Sequence, residues 1–399
     1  MPILALIVAL TLSPAGASAA GLLPDPPPAA IAFQHSQDWF WCLEQALGLA
    51  VPVLFLASGL AKRLLSLCLR VSRGRRVWAV ALFALGYCLF DWALNMPRLF
   101  WDDYLNDHAF GVSSASLGAW GRREVLDLLP KLIAYPLLSW IPYFFLIRAP
   151  RRWWLWGGLA FLPISILINI VEPTLIAPLT HHLTPLKNQA LEARIKDLAD
   201  RAGLKDITVL VRDKSSSSLL PNAQATGMLG YDRIYIDDIT LDHTDERMLM
   251  EIAGHEIGHL VNRDKWIWCL VQTLLALATF LLADRLGGLV IRRFRPRLGF
   301  ETLASPGSLP ILLLAYQLVF LATIPGVNSL SRWAEYRADR MAMDLTHDNE
   351  AAIEIIKAYM GMAKEIPQPS WFSRQIRGSH PSLEERAEFF ETYHPWQGQ

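Results

Sequence analysis

Two histidines one helical turn apart, His255 and His259 in Gly254-His255-Glu256-Ile257-Gly258-His259, carry the clearest chemical signal in the chain. Residues four apart share a helix face, so both imidazoles can reach one metal ion while Glu256 reaches the water beside it. That geometry belongs to zinc-dependent hydrolysis. Two histidines leave such a site one protein ligand short, with a further position open to water. The run Asn328-Ser329-Leu330-Ser331-Arg332-Trp333-Ala334-Glu335-Tyr336-Arg337-Ala338-Asp339 supplies the missing donor, because Glu335 and Asp339 fall four apart on one helix face. Glu335 suits the third ligand. Asp339, one turn on, can accept the second ring N–H of a ligand histidine and so fix its tautomer. Read alone, Glu335, Arg337 and Asp339 would only decorate a solvated helix; the upstream histidine pair's need of a partner decides otherwise.

The elements that must position these residues are oily. The chain has 53% hydrophobic residues, 15 Trp and only 19% charged residues, too apolar for an ordinary soluble enzyme of this length. Basic and acidic residues balance at 37 each, which leaves no basic field to hold nucleic acid. Cys42, Cys68, Cys88 and Cys269 form no Cys-x-x-Cys pair and read as packing residues, so a metal site must be built from His and Glu. Residues 1–20 combine an apolar run, Pro2 to Leu12, with the small residues Ala15 to Ala20. They predict a signal peptide cut after Ala19 or Ala20 or, because Lys and Arg are missing from its start, an uncleaved first membrane helix. Residues 21–38 read as a Pro-rich linker.

Six further segments are apolar and long enough to cross a bilayer, paired as three hairpins: Leu43 to Ala61, Val77 to Asn95, Leu132 to Ile147, Trp153 to Val171, Trp266 to Ala283 and Leu309 to Ser329. Four of them make a membrane domain over 39–171 and two more occupy 266–329. Between them, 172–265 turns polar: a helix over Pro185 to Ala202, strands at Ile207 to Arg212 and Arg233 to Asp237, and a motif helix from about Thr244 to Asn262 running nearly straight into the fifth span. Residues 330–399 return the third ligand to the site. The fold class is therefore mainly α, a polytopic helical membrane protein with a small inserted α/β domain. Clusters of Arg and Lys follow the first, third and fifth spans (Lys62 to Arg76, Arg148 to Arg152, Arg285 to Arg297). Such loops stay in the cytoplasm, so the polar domain is expected on the opposite face, the periplasmic side of a bacterial inner membrane.

The chain resembles the type I CAAX prenyl endopeptidases, integral-membrane zinc proteases of the gluzincin clan related to the yeast a-factor-converting enzyme, and more distantly the bacterial heat-shock membrane proteases. The resemblance runs from about Trp39 onward. It is carried by His108 to Ser113, Glu172-Pro173 through Thr184-Pro185-Leu186, Asn222-Ala223 with Gly227, the His255 to His259 motif, Ser331-Arg332 with Glu335 and Asp339, and His380-Pro381 with Arg386. It implies a zincin-type protease domain with one zinc per chain on His255, His259 and Glu335, and Glu256 as general base. It further implies that Asp339 orients a ligand, that Asn222 and Ala223 belong to an edge strand pairing with extended substrate, and that His380 and Arg386 face the reacting carbonyl. The implied partners are a polypeptide substrate and the lipid bilayer. One departure stands out: the family usually turns its zinc domain toward the cytosol, whereas the basic loops here argue the reverse, which disfavours prenylated tails made in the cytosol. The competing expectation is a catalytically silent membrane chamber protein binding lipidated or apolar partners. Structural zinc sites are closed by four ligands and often rich in Cys, and no cysteine lies near the motif.

Overall fold

The computed structural model describes residues 22–180, 182–215 and 221–398; the signal peptide or first helix expected at 1–20 lies outside them. Among the described residues six helical stretches are long and apolar enough to cross a membrane. The membrane domain comprises α1 (Pro28–Ala57), a short amphipathic α2 (Leu60–Val71), α3 (Arg76–Leu99), α4 (Leu117–Arg148), and α5 (Trp153–Leu159) followed by α6 (Phe161–Val171). Its aromatic core packs Phe55, Phe83, Tyr87, Tyr143 and Trp153 against Phe280 from a later span. The linker expected at 21–38 is a helix from Pro28 on: proline suits the first helical turn, where its missing N–H has no partner to lose. The three basic connections meet at one end of the bundle. Lys62 packs against Gly299, the Tyr143 hydroxyl donates to the Pro306 carbonyl at 3.1 Å, and the Trp153 indole N–H donates to Asp284 at 2.7 Å.

The polar domain opens with β1 (Leu183–Pro185) and α7 (Gln189–Arg201), then β2 (Thr208–Arg212), β3 (Ala223–Thr226) and β4 (Arg233–Asp237). The sheet order is β1-β2-β4-β3, with β2 and β4 parallel and the outer strands antiparallel. Ile195, Leu198, Val209, Ile234, Ile236, Ala253 and Ile257 bury one face of the sheet under α7 and the motif helix. After α8 (Asp238–His243), the Asp245 carboxylate caps the Met248 N–H and starts the motif helix α9 (Glu246–Val261). The motif helix does not run straight into the fifth span. Arg263, at φ 55°, takes a left-handed turn that ends α9 and redirects the chain into α10 (Asp264–Leu298). The expected boundary at 329/330 likewise falls inside a continuous helix, α11 (Leu309–Thr346), which serves as both the sixth span and the carrier of Glu335. Two shorter helices, α12 (Asn349–Ala363) and α13 (Leu383–Thr392), complete the domain, the latter with a Ser382/Glu385 capping box.

Helix α9 crosses α11 at glycines. A Cβ on Gly258 would lie 2.8 Å from the Ala338 Cα, and one on Gly254 would lie 3.1 Å from the Ala342 Cα. Both alanines are fully buried. Contact between these small residues lets the two backbones approach far enough for Glu335, one turn before Asp339, to face the histidines. Gly258→Ala is expected to force the helices apart, costing about 1–3 kcal/mol and weakening metal retention. Gly121→Ala, where an added Cβ has nothing within 4 Å, is expected to do neither. Thermal unfolding with metal analysis checks both; equal behaviour of the two variants would refute the role given to this crossing.

Candidate metal centre

The side chains of His255, His259 and Glu335 converge, with one ligand atom from each lying within 4.8 Å of the others. His255 Nε2 is 3.3 Å from Glu335 Oε2, and His259 Nε2 is 3.6 Å from Glu335 Oε1. Each histidine is held from behind. His255 Nδ1 lies 2.8 Å from Asp339 Oδ1, and His259 Nδ1 lies 2.8 Å from Asp264 Oδ2. A carboxylate at Nδ1 requires the N–H there, which leaves the Nε2 lone pair pointing at the centre. The two Nε2 atoms consequently face each other at 3.1 Å with carboxylate oxygens beside them, an arrangement that calls for positive charge, either a proton on one ring or a metal ion. A divalent cation relieves that arrangement, and zinc fits it. Nitrogen ligands at about 2.0–2.1 Å in tetrahedral geometry stand about 3.3 Å apart.

The two carboxylates behind the histidines are themselves anchored by arginines. Arg386, on α13, donates to Asp339 twice, at 2.9 and 2.6 Å. Arg337, on α11, donates to Asp264 Oδ1 at 3.0 Å and to the Asn262 carbonyl at 3.0 Å, with its guanidinium 4.1 Å over the Trp333 ring. Asp264 and Arg337 are the parts of the site that sequence spacing did not reveal. Asp264 reaches back to His259 only because of the left-handed turn at Arg263. The sequence signal was the unmet need of His259 for an Nδ1 partner. Arg386, expected to face a reacting carbonyl, lines the cleft but spends its guanidinium on Asp339.

Glu256 points from α9 toward the sheet and accepts a hydrogen bond from the Ala225 N–H of β3. Among the described residues β3 is an outer strand of the sheet, and this bond shows which way it faces. A residue's N–H and C=O share one side of a strand and alternate along it, so Ala225 and Ala223 direct theirs outward into the cleft. The Asn222 carbonyl accepts from Asp237 on β4, and its N–H donates to Thr240. Asn222 therefore precedes the strand and offers the cleft its side chain, while Ala223 offers its main chain. His380 stands on the opposite wall, its Nε2 3.6 Å from Glu335 Oε1 and its side chain largely exposed. Arg332 fixes the turn that leads to it, donating to the carbonyls of Arg374 and Gly378 at 2.8 Å each. Asn222, Ala223, Ala225, Glu256 and His380 line, with the two histidines and Glu335, a cleft of about 650 Å³.

A convergent His, His, Glu set beside a carboxylate held on an outward-facing strand edge is the arrangement of a metallopeptidase, and comparison with known proteins agrees. The model for peptidase family M48 matches residues 185–394. The chain belongs to peptidase family M48. A second model, the CAAX prenyl protease N-terminal region with five membrane helices, matches residues 30–182. The chain is similar to an uncharacterized metalloprotease of Bacillus subtilis (strain 168), YhfN, at 30% identity over 291 residues, which is 73% of this chain and 68% of that one. It is also similar to the probable CAAX prenyl protease 1 of Schizosaccharomyces pombe (strain 972), at 23% identity over 378 residues, 90% and 77% of the two chains. The crystal structure of S. mikatae Ste24p superposes with a TM-score of 0.77 over 92% of each chain at 18% identity, which shows the shared fold. This M48 member is an integral-membrane metalloprotease.

Without metal, burial alone would lower the His255 imidazolium, but hydrogen bonds to Asp339 and Glu335 outweigh it and push its pKa up to about 10. A proton then competes with the metal below that pH. Apparent metal affinity is expected to rise by about tenfold per pH unit between pH 6 and 8. Asp264→Asn, which no longer fixes the His259 tautomer, is expected to lower it by about 10–100-fold at any one pH. Chelator competition reads both, and a flat pH dependence or an unchanged Asp264→Asn affinity would contradict the ligand geometry.

Proposed function

We propose that the M48 centre binds one zinc through His255, His259 and Glu335 and hydrolyses peptide bonds within extended stretches of membrane-associated or exported polypeptides. The observation that carries this reading is the placement of Glu256 between the ligand set and the outward edge of β3. Zinc held by these three side chains would supply Lewis acidity for hydrolysis. The remaining work falls to side chains. Glu256, steadied by the Ala225 N–H, takes the proton of the attacking water and returns it to the leaving amine. His380, on the facing wall, donates to the oxygen on which charge develops. The Ala223 main chain and the Ala225 carbonyl, whose N–H is taken by Glu256, give hydrogen bonds to a substrate strand, and the Asn222 side chain adds a polar contact at its end. Main-chain pairing is indifferent to sequence, so selectivity is left to side-chain pockets. Asp339 and Asp264 keep both imidazoles in the liganding tautomer, and Arg386 acts through Asp339 rather than on the substrate.

Relatives named CAAX prenyl proteases bring prenylated tails into consideration. The gathering of three basic connections at the end marked by Lys62, Gly299 and Pro306 supports an orientation in which that end is cytoplasmic and the metal cleft faces outward, the periplasmic side in a bacterial inner membrane. Exported and membrane-embedded chains are then the accessible substrates. A C-terminal alkaline phosphatase fusion is expected to be active in whole cells, and activity of a cytoplasm-only reporter at the same point would reverse the orientation. For the chemistry, Glu256→Gln is expected to retain zinc at wild-type stoichiometry while cleavage of an unfolded model protein falls by about 10²–10⁴-fold. Wild-type turnover in that variant would remove Glu256 from the mechanism.

A further inference from the structure

The cleft does not end at the histidines. A second cavity of about 380 Å³ adjoins it, and His259, Leu260 and Lys265 line both. Leu204, Met228, Leu229, Leu260 and Trp266 give this second cavity an apolar wall, while Asp232, His259, Arg263 and Lys265 supply a polar remainder. Strand β3 connects the two spaces. Ala223 and Ala225 line the first, and Gly227 through Gly230, which directly follow the strand, line the second. Gly227 makes the turn between them possible: at φ 143° it takes a conformation that side chains resist, and a Cβ there would lie 2.5 Å from the Asp232 Cα. A polypeptide laid along the outward edge of β3 therefore passes from the first cavity, beside the metal ligands, into the second.

Direction follows from strand pairing. Antiparallel ladders are somewhat more stable per residue than parallel ones, and in that sense the N-terminal part of a bound chain lies toward the C-terminal end of β3, where the second cavity is. We propose that this cavity is a specificity subsite that takes a large apolar side chain from the N-terminal side of the scissile bond. The inference rests on the peptidase reading of the metal cleft. It adds what main-chain pairing lacks, a contact that distinguishes one sequence from another, since a buried Leu or Phe differs from Gly by about tenfold or more in cleavage efficiency.

Cleavage-site profiling tests it: purified full-length protein, loaded with zinc, digests a complex peptide library, and the cut sites are aligned and counted. Wild type is expected to favour Leu, Ile, Met or Phe over Gly by about tenfold or more at one position N-terminal to the cut. Leu204→Trp, which fills the cavity, is expected to bring that ratio near one while preferences at other positions persist. Met228→Ala, which enlarges it, is expected to shift the same preference toward Phe and Trp. Counting is per cleavage, so slower turnover by a partly unfolded variant does not alter a profile. A preference found only on the C-terminal side, or loss of preference at all positions alike, would overturn the subsite. Profiles unchanged in both variants would also overturn it and leave the cavity to lipid. Absence of zinc-dependent cleavage by wild type is a different failure, since it overturns the peptidase reading and the subsite with it.

Discussion

The site depends on how closely two helices can approach. Glu335 sits on a helix that continues from a membrane span, and the two histidines sit on a helix of the polar domain. Only an interface without side-chain bulk brings the carboxylate oxygens to 3.3 and 3.6 Å from the imidazoles. Gly254 and Gly258 on one side and Ala338 and Ala342 on the other supply that interface. Glycine in a helix interior costs roughly 0.5–1 kcal/mol relative to alanine, so both positions weaken α9 as an isolated helix. Packing against α11, with Ile257 and Ala253 buried in the domain core, offsets that loss.

A second layer of order comes from charge. Each histidine of the candidate metal centre leans on an aspartate, and each aspartate on an arginine: His255 on Asp339 and Arg386, His259 on Asp264 and Arg337. The four supporting residues come from α10, α11 and α13, so two helices that continue into the membrane spans, with one short helix of the polar domain, hold the candidate ligands in register. Removing one partner from a buried ion pair leaves a charge uncompensated and costs about 3–5 kcal/mol, which makes Arg386 structural as well as electrostatic in its effect. The same network explains why Arg386 is not free to meet a substrate.

Much of this was legible in the sequence, and the gaps have physical causes. The four-residue spacing of His255 and His259 and of Glu335 and Asp339 survives translation into structure because helix geometry is local. The six spans were readable because apolar length is a property of composition. The Pro-rich start of α1 misled, since the same residue that marks linkers also opens helices. Asp264 stayed hidden because its approach to His259 depends on a left-handed residue, Arg263, that helical periodicity cannot foresee. Strand β3 shows little strand propensity in Ala-Gln-Ala-Thr and is defined by pairing with β4. Only the resemblance pointed to it. The packing role of Gly254 and Gly258 likewise appears only once Ala338 and Ala342 are opposite them.

The proposed centre is a metal held by two imidazoles and one distant carboxylate with a position left for solvent. X-ray absorption at the zinc edge of the purified protein tests it most directly. The expected first shell is nitrogen and oxygen alone at about 2.0–2.2 Å, with two histidine scattering signatures and one oxygen donor lost in Glu335→Ala. Sulfur in the first shell, a third imidazole, or a spectrum unaltered by loss of Glu335 would contradict it.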